Sequence, residues 1–169
     1  DWNRAMVIGG ASVDLRPSGY GAAYIRIQKD TVRRKYVGYT PTDSILTNYS
    51  TRINNYAAFA NVEISPLEKL RVVASLRYDL FHYSFNNSLT PSAFSGSPDT
   101  ANRFTRFSPK IGATYNFSAS TGLYANYSEG FVPPQVTELY TGVKVPFLAP
   151  SVFCNFEVGG WAKLLQGKI

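Results

Sequence analysis

The chain has 169 residues, enough for one ordinary domain, yet 15% of them are aromatic and only 17% are charged, against roughly 25% charged in soluble domains. Such a chain meets something apolar on one face of its elements, either a sandwich core or lipid. No run approaches the ~18 consecutive apolar residues of a membrane-spanning helix, so any membrane must be crossed by strands. The net charge of +6 is scattered, with Arg33, Arg34 and Lys35 as a short run; lacking a basic stripe or aromatic platform in a recognisable module, the chain does not read as a nucleic-acid binder.

In chain order, Asp1 to Met6 lacks a basic segment followed by an apolar one, so no signal peptide is read there. A first strand is expected near Ala5 to Leu15, followed by a long segment from Arg16 to Ser50 with the Pro, Gly, Ser and Asn content of a loop. Tyr56, Ala58, Ala60, Val62 and Ile64 then alternate with polar residues including Asn55, Asn61 and Glu63. Ser65 to Lys69 reads as a tight turn. The cleanest alternation follows: Leu70, Val72, Ala74, Leu76, Tyr78 and Leu80 share one face, and Arg71, Val73, Ser75, Arg77, Asp79 and Phe81 the other.

Ser84 to Arg106 is a second long connection, and Phe107 to Phe117 a further alternating strand that carries Lys110 on its polar side. Ser118 to Thr121 is a second tight turn, and Leu123, Ala125 and Tyr127 alternate with Tyr124, Asn126 and Ser128. A third long segment, Val132 to Cys154, precedes a last strand beginning near Asn155. The reading is all-β: an antiparallel meander of about six strands, each near the ~10 residues that a tilted barrel strand needs.

Short and long connections alternate strictly. A soluble sandwich has no reason to do this, whereas outer-membrane barrels join strands by short periplasmic turns and long extracellular loops. The orientation follows. Asp1 and Lys168 fall at the periplasmic end, apolar strand faces meet lipid, and Arg71, Arg77, Asp79, Lys110 and Glu157 face the lumen. Tyr78, Phe81, Tyr83, Tyr115, Phe117, Tyr127 and Phe131 are expected in aromatic girdles at the strand ends. About six strands do not close a barrel of this loop size, and open edges do not persist in hydrocarbon. The chain is therefore expected to be a partial barrel.

The stretch Phe107-Ser108-Pro109-Lys110-Ile111-Gly112, then Gly122-Leu123-Tyr124-Ala125-Asn126-Tyr127-Ser128-Glu129-Gly130-Phe131-Val132-Pro133-Pro134, resembles the barrel of TonB-dependent receptors of the siderophore-receptor type. Glu138-Leu139 and Asn155-Phe156-Glu157-Val158-Gly159 follow in the order that this family shows. The resemblance covers the chain from about its second third onward. It implies a barrel of about 22 strands filled by a plug, in the bacterial outer membrane, driven by the TonB complex through a box before that plug. No plug-like segment or TonB box is read here, so residues 1–169 are expected to be a partial barrel domain that does not transport alone.

The resemblance also implies ligand contacts from aromatic and basic residues at the loop bases. By that logic Arg33, Arg34, Tyr36, Tyr39, Tyr83, Arg103 and Arg106 are candidates for a basic mouth that attracts an anionic ferric siderophore. The alternative for each is a solvated loop residue or a contact to outer-membrane lipid and lipopolysaccharide. A passive porin-like channel is the second function class and a barrel hydrolase the third. His82 and Ser84 lie two apart, but a hydrolase also needs a group orienting the His and an oxyanion site; no enzyme is read here. Asn48, Asn86, Asn116 and Asn126 begin N-x-S patterns that are read as structural. Cys154, the single cysteine, is expected in a loop without a partner, and no metal-ligand spacing or cofactor motif is found.

Overall fold

In a computed structural model, residues 5–163 are described. Six strands form one antiparallel sheet in sequence order, curved into a half-barrel: β1 (Ala5–Asp30), β2 (Lys35–Leu67), β3 (Leu70–Asn87), β4 (Thr100–Asn116), β5 (Thr121–Val132) and β6 (Ser151–Ala162). One short helix, α1 (Val136–Tyr140), lies between β5 and β6. Asp1 and Lys168 lie outside the described residues.

Register shows which face is which. The buried strand residues Thr51, Ala57, Asp79, Tyr83, Phe85 and Phe104 all fall on one face when the pairs Phe81↔Phe104 and Ala57↔Asp79 are followed across the sheet. That is the inner face. The opposite face carries exposed apolar residues on every strand, among them Val7 at 70%, Leu76, Phe107, Ile111, Leu123 and Val158 at 80% exposure. A contiguous apolar face of this extent is untenable in water and is what lipid contact requires.

The two short turns share one end. Lys69 Nζ donates to the Phe117 carbonyl at 3.2 Å, and Ser118 and Thr121 hydroxyls meet at 2.8 Å. The first turn is tighter than expected, because Ser65 to Leu67 continue β2.

The other end departs further from expectation. The first strand does not stop at Leu15: β1 is 26 residues long and β2 is 33. Most of the segment from Arg16 to Ser50 is a paired hairpin. Register is unbroken from Ala5↔Ile64 to Ala22↔Thr47, and shifts follow only beyond, between Ala22 and Ile25 and between Gln28 and Lys29. There the hairpin has outrun β3, whose last pair is Tyr49↔Asn87, and bulges twist a two-stranded arm that has no further neighbour. Asp30 Oδ1 closes the tip by accepting from Val32 and Arg33 N–H, both at 2.9 Å.

Two further expectations are corrected. The connection from Ser84 to Arg106 shrinks to residues 88–99, with Asn86 and Asn87 still in β3. The last strand begins at Ser151, so Cys154 lies within β6, exposed, and not in a loop.

Candidate functional site on the inner wall and mouth

The inner wall is a ladder of paired charges. Nearest the short turns, Arg71 bonds Glu63 at 2.6 Å. Midway, Arg77 grips Asp79 through two nitrogens at 2.7 and 2.8 Å, and Asn55 Nδ2 adds a bond at 3.2 Å. Asp79 is only 4% exposed, so this bidentate geometry is what makes its burial tolerable. On β5 and β6, Glu157 accepts from the Tyr124 hydroxyl at 2.8 Å and from Asn126 at 3.1 Å.

Pro109 shapes the next step. Pairing of β4 with β5 ends at Lys110↔Ser128; the next residue of β4 is a proline, which has no N–H to continue the ladder. Beyond it Glu129 to Val132 pair with β6 alone. Released from β4, this end of β5 turns inward. Arg106 bridges the gap to Glu129 at 2.7 Å, the Tyr127 hydroxyl adds a bond at 2.6 Å, and Phe131 meets Phe81 edge-on at 5.8 Å. An open groove of about 580 Å³ runs along this wall, lined by Asn55, Arg77, Asp79, Lys110, Glu129 and Phe131 among others. Asn55 Oδ1 and Arg106 Nε are buried beside it without partners among the described residues.

Above the charges the wall turns aromatic. Tyr20 meets Tyr49 at 5.6 Å, Tyr49 meets Phe85 at 5.0 Å, and Phe85 stacks on Tyr140 of α1 at 4.6 Å. The connection after β5 folds inward so that Leu139, fully buried, and Tyr140 pack on Tyr83, Phe85 and Phe104. Glu138 holds the start of α1 by accepting from Gln135 N–H at 2.7 Å. The Tyr140 hydroxyl donates to Asn102 Oδ1 at 2.8 Å, and its carbonyl accepts from Ser97 N–H at 3.0 Å.

That last bond latches loop 88–99 to α1. Gly96 permits it: its φ of 97° suits glycine, and a Cβ there would stand 2.6 Å from the Tyr140 carbonyl. Between arm base, loop and helix lies a cavity of about 340 Å³, lined by Tyr20, Tyr49, Phe94 and Tyr140 with the hydroxyls of Thr47, Thr137 and Thr141. Burial pushes the Tyr140 phenol up to about 12, so it is a neutral hydroxyl donor at ordinary pH.

Thus the half-barrel has a lipid-suited exterior, a charge-paired interior and an inward-folded mouth. The family model described as TonB dependent receptor-like, beta-barrel, matches residues 2–160. The chain belongs to that family. No curated protein matches it. This is a receptor and transporter family of the outer membrane, and membership makes the chain a section of receptor wall in that membrane.

The residues singled out from sequence fall in three places in this receptor wall. Arg33 and Arg34 sit in the tip turn of the arm, with Tyr36 and Tyr39 just below it on β2. Tyr83 and Arg106 are on the inner wall, Tyr83 buried under α1. Arg103 is on the outer face, its neighbour Phe104 being buried inside, so it takes no part in the mouth. Arg71, Arg77, Asp79, Lys110 and Glu157 are all on the inner face.

Phe81 and Tyr83 are not girdle residues, since the odd positions of β3 point inward, and Phe131 follows them against Phe81. His82 and Ser84 point outward, and no hydrogen bond joins them among the described residues. Sequence reasoning missed Tyr20, Tyr49, Leu139 and Tyr140. The available signal was Gln135 followed three residues later by Glu138, a variant of the capping pattern that opens helices.

Proposed function

We propose that this receptor wall serves TonB-energised uptake of a ferric siderophore or an anionic chelate of similar size, with the rest of the barrel and a plug domain completing the transporter. The observation that carries the reading is the aromatic, hydroxyl-lined cavity of about 340 Å³ at the mouth, beneath an arm with five basic and two acidic residues between Tyr24 and Ile45. The arm attracts an anion through Arg33, Arg34 and their neighbours; Tyr36 and Tyr39 offer flat surfaces near the tip. Tyr83 supports Tyr140 from the buried cluster beneath α1, and Arg106 lies deeper, where the ligand passes toward the plug.

Partnership with TonB comes through the plug. The sheet edges at β1 and β6 each have one neighbour among the described residues, and in hydrocarbon both need further strands. A passive channel is the competing class, and the inward-folded α1 speaks against it by obstructing the mouth.

The test is uptake of radiolabelled iron by cells carrying the whole receptor, with catecholate, hydroxamate and citrate chelates, with and without TonB. At least one chelate is expected to enter only when TonB is present. Changing Arg33 and Arg34 to Gln should raise the half-saturating concentration about tenfold at low salt and less at high salt. Uptake of unrelated small solutes that ignores TonB would replace this reading with the passive channel.

A further inference from the structure

We propose that the seam where β4 and β5 part is a wall-spanning site for an imported anionic ligand that carries an acyl chain. The head lies in the inner groove, and the chain leads out sideways between the strands into the membrane. The inference rests on the uptake reading for entry of the ligand through the mouth, but neither iron nor TonB is needed to test it, so either can fail alone.

The seam follows from the register. β4 stays paired with β3 as far as Phe85↔Thr100, but its pairing with β5 stops at Lys110↔Ser128. From Thr100 to Pro109 one edge of β4 therefore lacks a paired strand, while β5 continues with β6 to Val132↔Ser151. Pro109 lies opposite Leu76, six residues beyond Leu70 at the start of β3. At about 3.3 Å per residue and a tilt near 45°, the strands part roughly 14 Å up, near the middle of the apolar band. The seam thus opens toward the outer leaflet. Higher up, Arg106 and Glu129 cross it at 2.7 Å. Its outer rims are aromatic, with Tyr78 packed on Phe107 at 4.8 Å on one side and Tyr127 on Phe156 at 4.6 Å on the other.

Two hollows meet at this seam, and Glu129 borders both. The outer one, of about 450 Å³, is lined by Tyr78, Thr105, Phe107 and Pro109 beside the Arg106–Glu129 bridge. The inner one is the groove of about 580 Å³, and it is polar. Lys110 in that groove has no carboxylate partner among the described residues, and Arg106 Nε is buried at the seam without one. Both suit an anion or a polar linkage. Lys110 faces the lumen near mid-depth, opposite Ser75, out of reach of a bilayer lipid whose headgroup stays at the membrane surface; a ligand that comes through the mouth reaches it from water. Hydrocarbon alone does not suit the seam either. Alternate residues of an antiparallel strand turn N–H and C=O to the same side, so the open edge of β4 presents backbone groups that lipid leaves unpaired. A ligand with its polar linkage at this edge and only its chain beyond answers both demands.

The test uses the whole receptor in zwitterionic detergent micelles and two probes. One is citrate with a carboxyl amidated by a dodecyl chain ending in a diazirine; the other is the same head as its methyl amide. On illumination the long probe should label Tyr78, Thr105 or Phe107, mapped by mass spectrometry, and excess methyl amide should suppress the labelling. Thr105→Trp fills the outer hollow and should weaken binding of the dodecyl amide about tenfold, with the methyl amide unchanged. Val62→Trp, on the same outer face but two strands away, should alter neither. Arg106→Gln should weaken both amides by a similar factor. Added phosphatidylglycerol should not compete. Heat-modifiable migration on gels reports folding; if Thr105→Trp fails that check, the labelled positions in wild type decide. Label spread evenly over the outer face, equal loss of both amides in Thr105→Trp, or displacement by phosphatidylglycerol would overturn the proposal.

Discussion

The two faces of this sheet are built from the same strands, one residue out of phase, and they solve opposite problems. Inside, Arg71, Arg77 and Arg106 are each matched by a carboxylate, and aromatic rings close over one another beneath α1. Outside, Ile111, Leu76, Phe107 and Val158 stand exposed with nothing of the protein to cover them. By soluble-protein rules the outer face is a defect and the inner face a surface. With lipid as the outer solvent each face is in its proper place, because the period of two lets one strand serve both.

The sharpest way to break the contrast is to put a charge on the wrong face. Ile111→Arg, near the middle of the apolar band and opposite Ala74, should cost roughly 2–4 kcal/mol of barrel stability in lipid, read from the urea midpoint of the whole receptor refolding into vesicles. A loss no larger than for a substitution at its inward neighbour Lys110 would remove the distinction between the faces.

Removing charge from the inner face is the next test. Asp79→Ala leaves the Arg77 guanidinium without its two bonds and Asn55 without its acceptor. A fully buried pair would lose about 3–5 kcal/mol, but the Arg77 side chain is 40% exposed and water takes part of the load, so about 2 kcal/mol is expected. R77M/D79L should recover some of the loss, since removing both partners is milder than orphaning one.

A smaller effect probes the packing of rings on glycines. A Cβ on Gly122 would run into the Trp161 ring, and one on Gly159 would meet the Tyr124 ring at 2.6 Å. Gly122→Val must lift the indole off its strand, at a cost of about 1–2 kcal/mol, with a red shift in tryptophan emission as the ring meets water.

How much of this was legible follows from what alternation can and cannot report. Between Leu70 and Leu80 polar and apolar residues trade places without a break, so the faces of β3 could be read directly. Between Arg16 and Ser50 the Gly, Pro, Ser and Asn content resembles a loop, yet Tyr20, Tyr49, Ser18 and Thr51 pair across a hairpin. Composition misled there because an arm in water has no lipid face to impose an apolar period. Arg103 was misplaced for a related reason: it lies near a loop in sequence, but one residue of phase decides whether it looks into the mouth or out at the membrane. The mouth cluster was less legible still. Tyr20, Tyr49, Phe85 and Tyr140 come from four separate segments, and only the inward fold of α1 brings the last of them in.

That fold is also where the inner face can be tested most gently. Tyr140→Phe keeps the ring stacked on Phe85 and deletes the bond to Asn102, so about 1 kcal/mol of local stability should go. The hydroxyl has a pH signature as well. Burial raises the phenol to about 12, against about 10 in an unfolded chain, so the folded mouth favours the neutral form. Its contribution is whole below pH 10 and fades as pH rises from 10 toward 12, when deprotonation favours release of α1. Absorbance at 295 nm should show a late-titrating tyrosine in the wild type that disappears in Tyr140→Phe, and the exchange protection of the Ser97 amide, which donates to the Tyr140 carbonyl, should fall over the same interval once the intrinsic base-catalysed rise is divided out. If the protection factor of Ser97 is the same at pH 8 as at pH 11, the latch between α1 and the loop is not held shut through Tyr140, and the mouth cavity has to be kept in shape by Leu139 and the arm base alone.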